Sequence, residues 1–307
     1  MEKTNSRIEQ AAALIRAGEL VAFPTETVYG LGANALNAGA VEKIYKLKHR
    51  PHTSPLIVHV DSIESARQLV RQWPPAAQIL ADKFWPGPLT LVLEKAACVP
   101  DNVTAGLHTV GVRIPAHATA LALIRAAGLP IAAPSANRFA QLSPTTAGHV
   151  RTAFGDEIFV LDEGPAQVGI ESTVLSLVGA PQLLRPGMIT RAQIEAAVGV
   201  VGLAEAPGPG PHASPGLHER HYSPRTPLVL VKGELPRGRG AYLYWNNALS
   251  AAHAVPMPGD AAGYAAALYA ALHQADAGGW DWIAVEEPPD GAEWAGVWDR
   301  LQRAAAA

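Results

Sequence analysis

The chain has 307 residues, 49% hydrophobic and 17% charged, with a formal net charge of −3. That composition excludes a disordered chain, and the acidic balance argues against nonspecific coating of nucleic acid. A single cysteine, Cys98, excludes a disulfide framework and a zinc site built on several thiolates. Cys98 sits between Ala97 and Val99 and is expected to be a small core residue.

From Met1 to Ser6 there is no apolar signal segment, and no uncharged apolar run is long enough to cross a bilayer. A cytoplasmic protein with no membrane contact is expected. Ser6 and Glu9 have capping-box spacing and Gly18 follows an apolar run, which predicts a helix over 6–17. Residues 20–23 read as a short buried strand, and Pro24-Thr25-Glu26-Thr27-Val28-Tyr29-Gly30-Leu31-Gly32 as a turn. Its hydroxyls and glycines let backbone come close to a ligand. A helix over 40–48 carries Val41, Ile44, Tyr45 and Lys48 on one face and is stopped by Pro51. Lys43, Lys46, Lys48 and Arg50 crowd its end with no acid among them, which suits a small, highly anionic ligand.

Strands follow at 56–60, 89–94, 111–114, 130–133, 158–161, 172–178 and 182–184, with helices at 62–71, 75–83, 116–127 and 190–198. Strand and helix mix without a strict βαβ rhythm, so an α/β fold with an open, twisted mixed sheet is expected over 1–202. Residues 206–215 alternate Pro and Gly and cannot sustain a helix or central strand, which marks 203–226 as a linker. Strands at 227–231, 241–245 and 282–285, with helices at 261–275 and 293–304, predict a small Rossmann-like domain over 227–307 without a dinucleotide fingerprint.

The chain lacks a phosphate-loop motif, a nucleophile elbow and a His-Glu-x-x-His helix. The pairs His49/His52 and His218/His221 have no carboxylate or thiolate at ligand spacing, so no protein-held metal is expected. What remains is a set of loops that each follow a strand. Arg113 lies in a buried-looking strand and must find an anion. His59 lies in an apolar strand, where a core histidine is the plainer reading. Ser135 and Asn137, then Ser143 and Thr145, follow the strand at 130–133, while Glu171-Ser172-Thr173 precedes one strand and Arg185-Pro186-Gly187 ends another. Cations, hydroxyls and an amide at strand ends suit a nucleoside triphosphate beside a small zwitterion.

These segments resemble the threonylcarbamoyl-AMP synthases, the YrdC-like family, in their long two-domain form. The likeness rests on the 24–32 turn, Lys48-His49-Arg50, the block from His108 to Pro115, Ser135-Ala136-Asn137, Glu171-Ser172-Thr173 and Arg185-Pro186-Gly187. The segment from Ser214 to Pro224 is similar to a lid motif of the long members, and Asp299 to Ala304 to their C-terminus. Ser54 stands where many members have Asn, and the second domain is short. The resemblance implies that L-threonine, bicarbonate or CO2, and ATP with magnesium give threonylcarbamoyl-adenylate and pyrophosphate. It implies threonine contacts from Thr27, His59, Arg113, Ala133, Ser172 and Thr173. It implies ATP contacts from Lys48, Arg50, Ser54, Thr109, Ser135, Asn137, Ser143, Arg185, His221 and Tyr222, with Lys48 and Arg50 catalytic. Downstream partners would be the machinery that moves threonylcarbamoyl onto tRNA; tRNA contact by this chain is not required. A non-catalytic RNA- or tRNA-binding module of the same fold is the alternative, and the second domain's role stays open.

Overall fold

A computed structural model describes residues 2–204 and 221–306. Helix α1 (Glu2–Arg16) buries Ile8, Ala11, Ala12 and Ile15, and leads into strand β1 (Val21–Phe23). The glycine-rich segment is a turn only in its first half. Thr25 Oγ1 accepts from the Val28 amide, and Gly30 then opens strand β2 (Gly30–Asn34), antiparallel to β1. Gly32 serves the core rather than a ligand: a Cβ there would lie 2.8 Å from both Phe23 and Ile131. Helix α2 (Ala38–Lys48) is capped by Asn37, whose side chain accepts from the Ala40 amide. It ends at His49, in the left-handed region at φ 53, before Pro51 is reached.

Next come β3 (Ile57–His59), α3 (Ile63–Gln68), α4 (Pro75–Phe84), β4 (Leu89–Glu94), β5 (Thr109–Arg113), α5 (Ala118–Ala127) and β6 (Ile131–Ala132). They are followed by α6 (Ala147–Phe154), β7 (Phe159–Val160), β8 (Thr173–Ser176), β9 (Gln182–Arg185), α7 (Arg191–Val198) and β10 (Gly202–Leu203). These ten strands form one sheet in the order β10-β9-β8-β4-β5-β3-β6-β2-β1-β7, with parallel and antiparallel neighbours mixed. The open mixed sheet expected from the sequence is therefore present, and β10 carries it one residue beyond Gly202. Cys98 is exposed, with its thiol 3.5 Å from the Gln68 carbonyl, and is not a core residue. It sits in a connection after β4, where its apolar neighbours do not continue a strand.

The second unit comprises β11 (Leu228–Val231), β12 (Gly240–Tyr244), β13 (His253–Pro256), α8 (Ala261–Asp276), β14 (Trp282–Glu286) and α9 (Ala295–Ala305). Its four strands are all parallel, in the order β11-β14-β12-β13. Strand β14 is buried throughout, as a central parallel strand covered on both faces must be. The two units share apolar contacts: Val28, Leu142 and Ile170 of the first belong to the same cluster as Tyr264, Leu268 and Val297 of the second. The expected linker falls largely on 205–220, outside the described residues; His221 and Tyr222 are described and buried.

Candidate active site

Distant segments of the sequence end at one cavity. Thr25, Thr27 and Val28 come from the β1–β2 connection, His59 ends β3 and Arg113 ends β5 beside it in register. Ala133 and Ser135 follow β6, Ser172 precedes β8, Arg185 ends β9 and Arg50 follows α2. His221 and Tyr222 close the remaining wall.

Arg113 finds its anion within the protein. Its Nη2 lies 2.6 Å from Glu26 Oε1, an ion pair without the alignment of a hydrogen bond. Nη1 donates to Thr27 Oγ1 at 3.0 Å and Nε to the Gly87 carbonyl at 3.1 Å. Arg50 donates to the Ser54 and Pro55 carbonyls at 3.2 and 3.0 Å, and its guanidinium lies over the Phe139 ring. Burial pulls its pKa down to about 10, so it stays charged at neutral pH. Arg185 donates twice to the Ser172 carbonyl, at 3.1 and 3.0 Å, and its Nη1 reaches the Tyr222 hydroxyl at 3.4 Å. Three guanidiniums therefore face one hollow, each fixed by protein oxygens before any ligand arrives.

Lys48 lies behind this wall. Its ammonium donates to the Ser135 carbonyl at 2.7 Å and also to the Asn137 carbonyl, tying the end of α2 to the loop after β6. Burial, then the nearby charges of Arg50 and Arg138, hold its pKa well below the ordinary lysine range. His59 is buried too, and desolvation followed by the Arg113 charge pushes its pKa down to about 3. It is therefore a neutral imidazole on the cavity wall, and its Nδ1 has no hydrogen-bond partner among the described residues. The Asn137 Oδ1 beside the cavity loop is likewise buried and unpartnered. Unsatisfied buried polar atoms are uncommon, and a ligand is one way to satisfy them.

Of the residues expected from sequence, Thr27, Arg50, His59, Arg113, Ala133, Ser135, Ser172, Arg185, His221 and Tyr222 line the cavity together. Lys48, Ser54, Thr109, Asn137, Ser143 and Thr173 do not line it. Ser54 is buried with its carbonyl serving Arg50 and Tyr45, and Thr109 starts β5 opposite Glu94, at the end remote from Arg113. Thr173 gives its hydroxyl to the Ile189 carbonyl at 2.7 Å, and Ser143 gives its own to Glu171.

Two functional partners escaped the sequence. Glu26 was part of the turn, yet it is the counter-ion of Arg113; the clue was a strand arginine lacking any acid in its own strand. Arg300, fully buried on α9, holds Glu171 at 2.7 Å. Burial by itself would raise the Glu171 carboxyl, but Arg300, then Arg185, and the Ser143 hydroxyl hold it below the ordinary range. The clue there was an arginine on the same helical face as Val297, Leu301 and Ala304. Tyr222 occupies the left-handed region at φ 60, an uncommon conformation for a bulky residue, which the surrounding contacts must enforce.

The Sua5, YciO and YrdC family model, described as telomere recombination, matches residues 13–187. A model described as the threonylcarbamoyl-AMP synthase C-terminal domain matches residues 189–306. A threonylcarbamoyl-AMP synthase of Bacillus subtilis is 49% identical over 250 residues, 77% of this chain and 70% of its own length. One of Pyrococcus abyssi is 47% identical over 232 residues, 74% of this chain and 68% of its own length. Among solved structures, P. abyssi Sua5 complexed with L-threonine superposes with a TM-score of 0.93 at 39% identity, covering 98% of this chain and 94% of that one. Both units are thus matched, and the chain belongs to the threonylcarbamoyl-AMP synthase family.

Proposed function

We propose that this chain makes threonylcarbamoyl-adenylate and pyrophosphate from L-threonine, bicarbonate or CO2, and ATP. The observation that carries this reading is the convergence of Arg50, Arg113 and Arg185, from three distant segments, on one cavity. The cavity wall also bears hydroxyls and a neutral imidazole beside these cations, a lining suited to holding and orienting an anion. The relative solved with L-threonine places an amino acid in that protein's repertoire.

Arg113, with Thr27 and His59, is suited to the threonine end, where a carboxylate can share the guanidinium with Glu26. Arg50, Ser135 and Arg185 are suited to the phosphates. In the reaction the threonine amine, having lost a proton to solvent, forms an N–C bond to CO2 and sheds a second proton, leaving a carbamate. A carbamate oxygen then bonds to the α-phosphorus as the bond to the bridging oxygen breaks, releasing pyrophosphate. Aligning these groups and neutralising their charge is the main demand on the protein.

Among the described residues no group of three His, Cys, Asp or Glu could hold a metal ion. The nearby carboxylates Glu26 and Glu171 are committed to Arg113 and Arg300. Magnesium accordingly enters this proposal as part of the MgATP substrate. Lys48 enters as the residue that holds the 135–137 loop through the Ser135 and Asn137 carbonyls. We place the chain in the cytoplasm, supplying an activated threonylcarbamoyl group to a separate enzyme that acts on tRNA; among the described residues no helix is long and apolar enough to cross a membrane. Incubating the protein with MgATP, bicarbonate and threonine and reading the products by mass spectrometry tests the proposal. Threonylcarbamoyl-adenylate should appear together with pyrophosphate, and ADP or AMP alone would contradict it.

A further inference from the structure

The guanidinium of Arg300 reaches out of the small domain and grips the wall of the cavity without lining it. Nε donates to Glu171 Oε2 at 2.7 Å, Nη2 to the Glu171 carbonyl at 3.0 Å and Nη1 to the Pro186 carbonyl at 2.9 Å. Asp299 Oδ2 accepts from Nη1 at 2.6 Å. From α8, the Tyr269 hydroxyl donates to the same Glu171 oxygen at 3.1 Å. The contacts close into a ring. Glu171 adjoins Ser172, whose carbonyl holds Arg185; Arg185 meets the Tyr222 hydroxyl; and the Tyr222 ring lies 5.4 Å beneath the Arg300 guanidinium.

The packing around this ring leaves little slack. A Cβ on Gly169 would lie 2.4 Å from the Ala265 carbonyl oxygen of α8, and one on Gly296 would lie 2.9 Å from Gly187. Apolar residues could dock two domains at least as firmly as a buried ion pair, because removing both charges from water offsets much of their attraction. What a guanidinium with several fixed acceptors adds is direction, since its planar fork accepts few orientations.

We propose that Arg300 is a positioning residue for the nucleotide half of the site, through which the small domain, by way of the Glu171-Ser172 backbone, holds Arg185 and Tyr222 where ATP needs them. This rests on the reading above that Arg185 and Tyr222 face ATP. It gives the second domain a role in the reaction that does not require it to touch substrate.

The test uses the full chain and the variants Arg300→Lys, Arg300→Met and Tyr269→Phe. Steady-state pyrophosphate release gives KM for ATP and for threonine, and circular dichroism melting reports folding. A lysine can still pair with Glu171 but cannot also span to the Pro186 carbonyl. Arg300→Lys should fold and raise KM for ATP about tenfold, the scale of one lost charge-assisted hydrogen bond. Its KM for threonine should stay near the wild-type value. Tyr269→Phe should move KM for ATP in the same direction by less. Should Arg300→Met or Arg300→Lys fail to fold, Tyr269→Phe, which removes one hydroxyl and no charge, decides. Folded variants with an unchanged KM for ATP, or with both KM values rising in step, would overturn the inference while leaving the function intact. A wild-type chain that makes no product would overturn the functional reading and this inference with it.

Discussion

A guanidinium inside a β-strand must be neutralised, and Arg113 shows how far the sequence carries that requirement. The need for an anion is legible in Val112-Arg113-Ile114, but its identity as Glu26, 2.6 Å away, depends on the connection between β1 and β2 reaching the end of β5. Arg50 is a different case, because its hydrogen bonds go to two neutral carbonyls and it has no carboxylate partner among the described residues. Arg50→Ala should cut adenylate formation by about a hundredfold or more, the scale of one lost preorganised charge contact. Near-normal pyrophosphate release from a folded variant would remove Arg50 from the phosphate site. His59 carries a prediction for stability. Its folded pKa of about 3 lies below its ordinary 6.5, so between these values the unfolded chain holds a proton that the folded one refuses. Stability is then intact above pH 6.5 and is lost as the pH falls toward 3, with this group contributing a slope of about 1.4 kcal/mol per pH unit. His149, pushed down to about 4 by burial and then by the His273 charge, adds to the same trend. Urea denaturation at pH 4.5, 5.5 and 6.5 should give a shallower loss for His59→Asn than for wild type, and parallel curves would contradict the assignment.

Elements position these side chains, and glycine sets how closely the elements approach. A Cβ on Gly187 would lie 2.5 Å from the Thr173 amide nitrogen and 2.9 Å from the Ser172 carbonyl carbon. Gly187→Ala should therefore destabilise the chain by about 1–3 kcal/mol through overpacking and shift Ser172. A lower urea midpoint with impaired pyrophosphate release is expected; wild-type values for both would show that the wall relaxes freely. The same sterics explain what the sequence concealed. Strand β2 hides because Gly30-Leu31-Gly32 has turn composition, while its glycines make room for Phe23 and Ala133. Helix α6 is short and starts Ala147-Gly148-His149, too weak a pattern to stand out, and β13 is an edge strand of alternating partial exposure that ends in Pro256. By contrast, β4 and α7 match the expected 89–94 and 190–198 almost to the residue; β4 is apolar but for Thr90 and Glu94, and α7 starts at a capping box of Thr190 and Gln193.

At the scale of the whole molecule, the convergence itself is what periodicity could not supply. The loops were legible as polar strand ends, but their meeting depends on a ten-strand order in which β3, β5 and β6 are neighbours while β8 and β9 lie beyond β4. Nor could pattern reveal that the small domain shares apolar contacts with Val28 and Ile170, or that Arg300 buries its charge against Glu171. The resulting cavity should recognise threonine by both its hydroxyl and its methyl, next to a triphosphate. The most direct measurement is pyrophosphate release from MgATP and bicarbonate with threonine, serine or valine as the amino acid. Serine lacks the methyl and valine the hydroxyl, so rapid release with threonine and much slower release with the other two is expected. Equal release with all three, or salt-sensitive tRNA binding with no pyrophosphate at all, would contradict a site in which arginines hold ATP beside threonine.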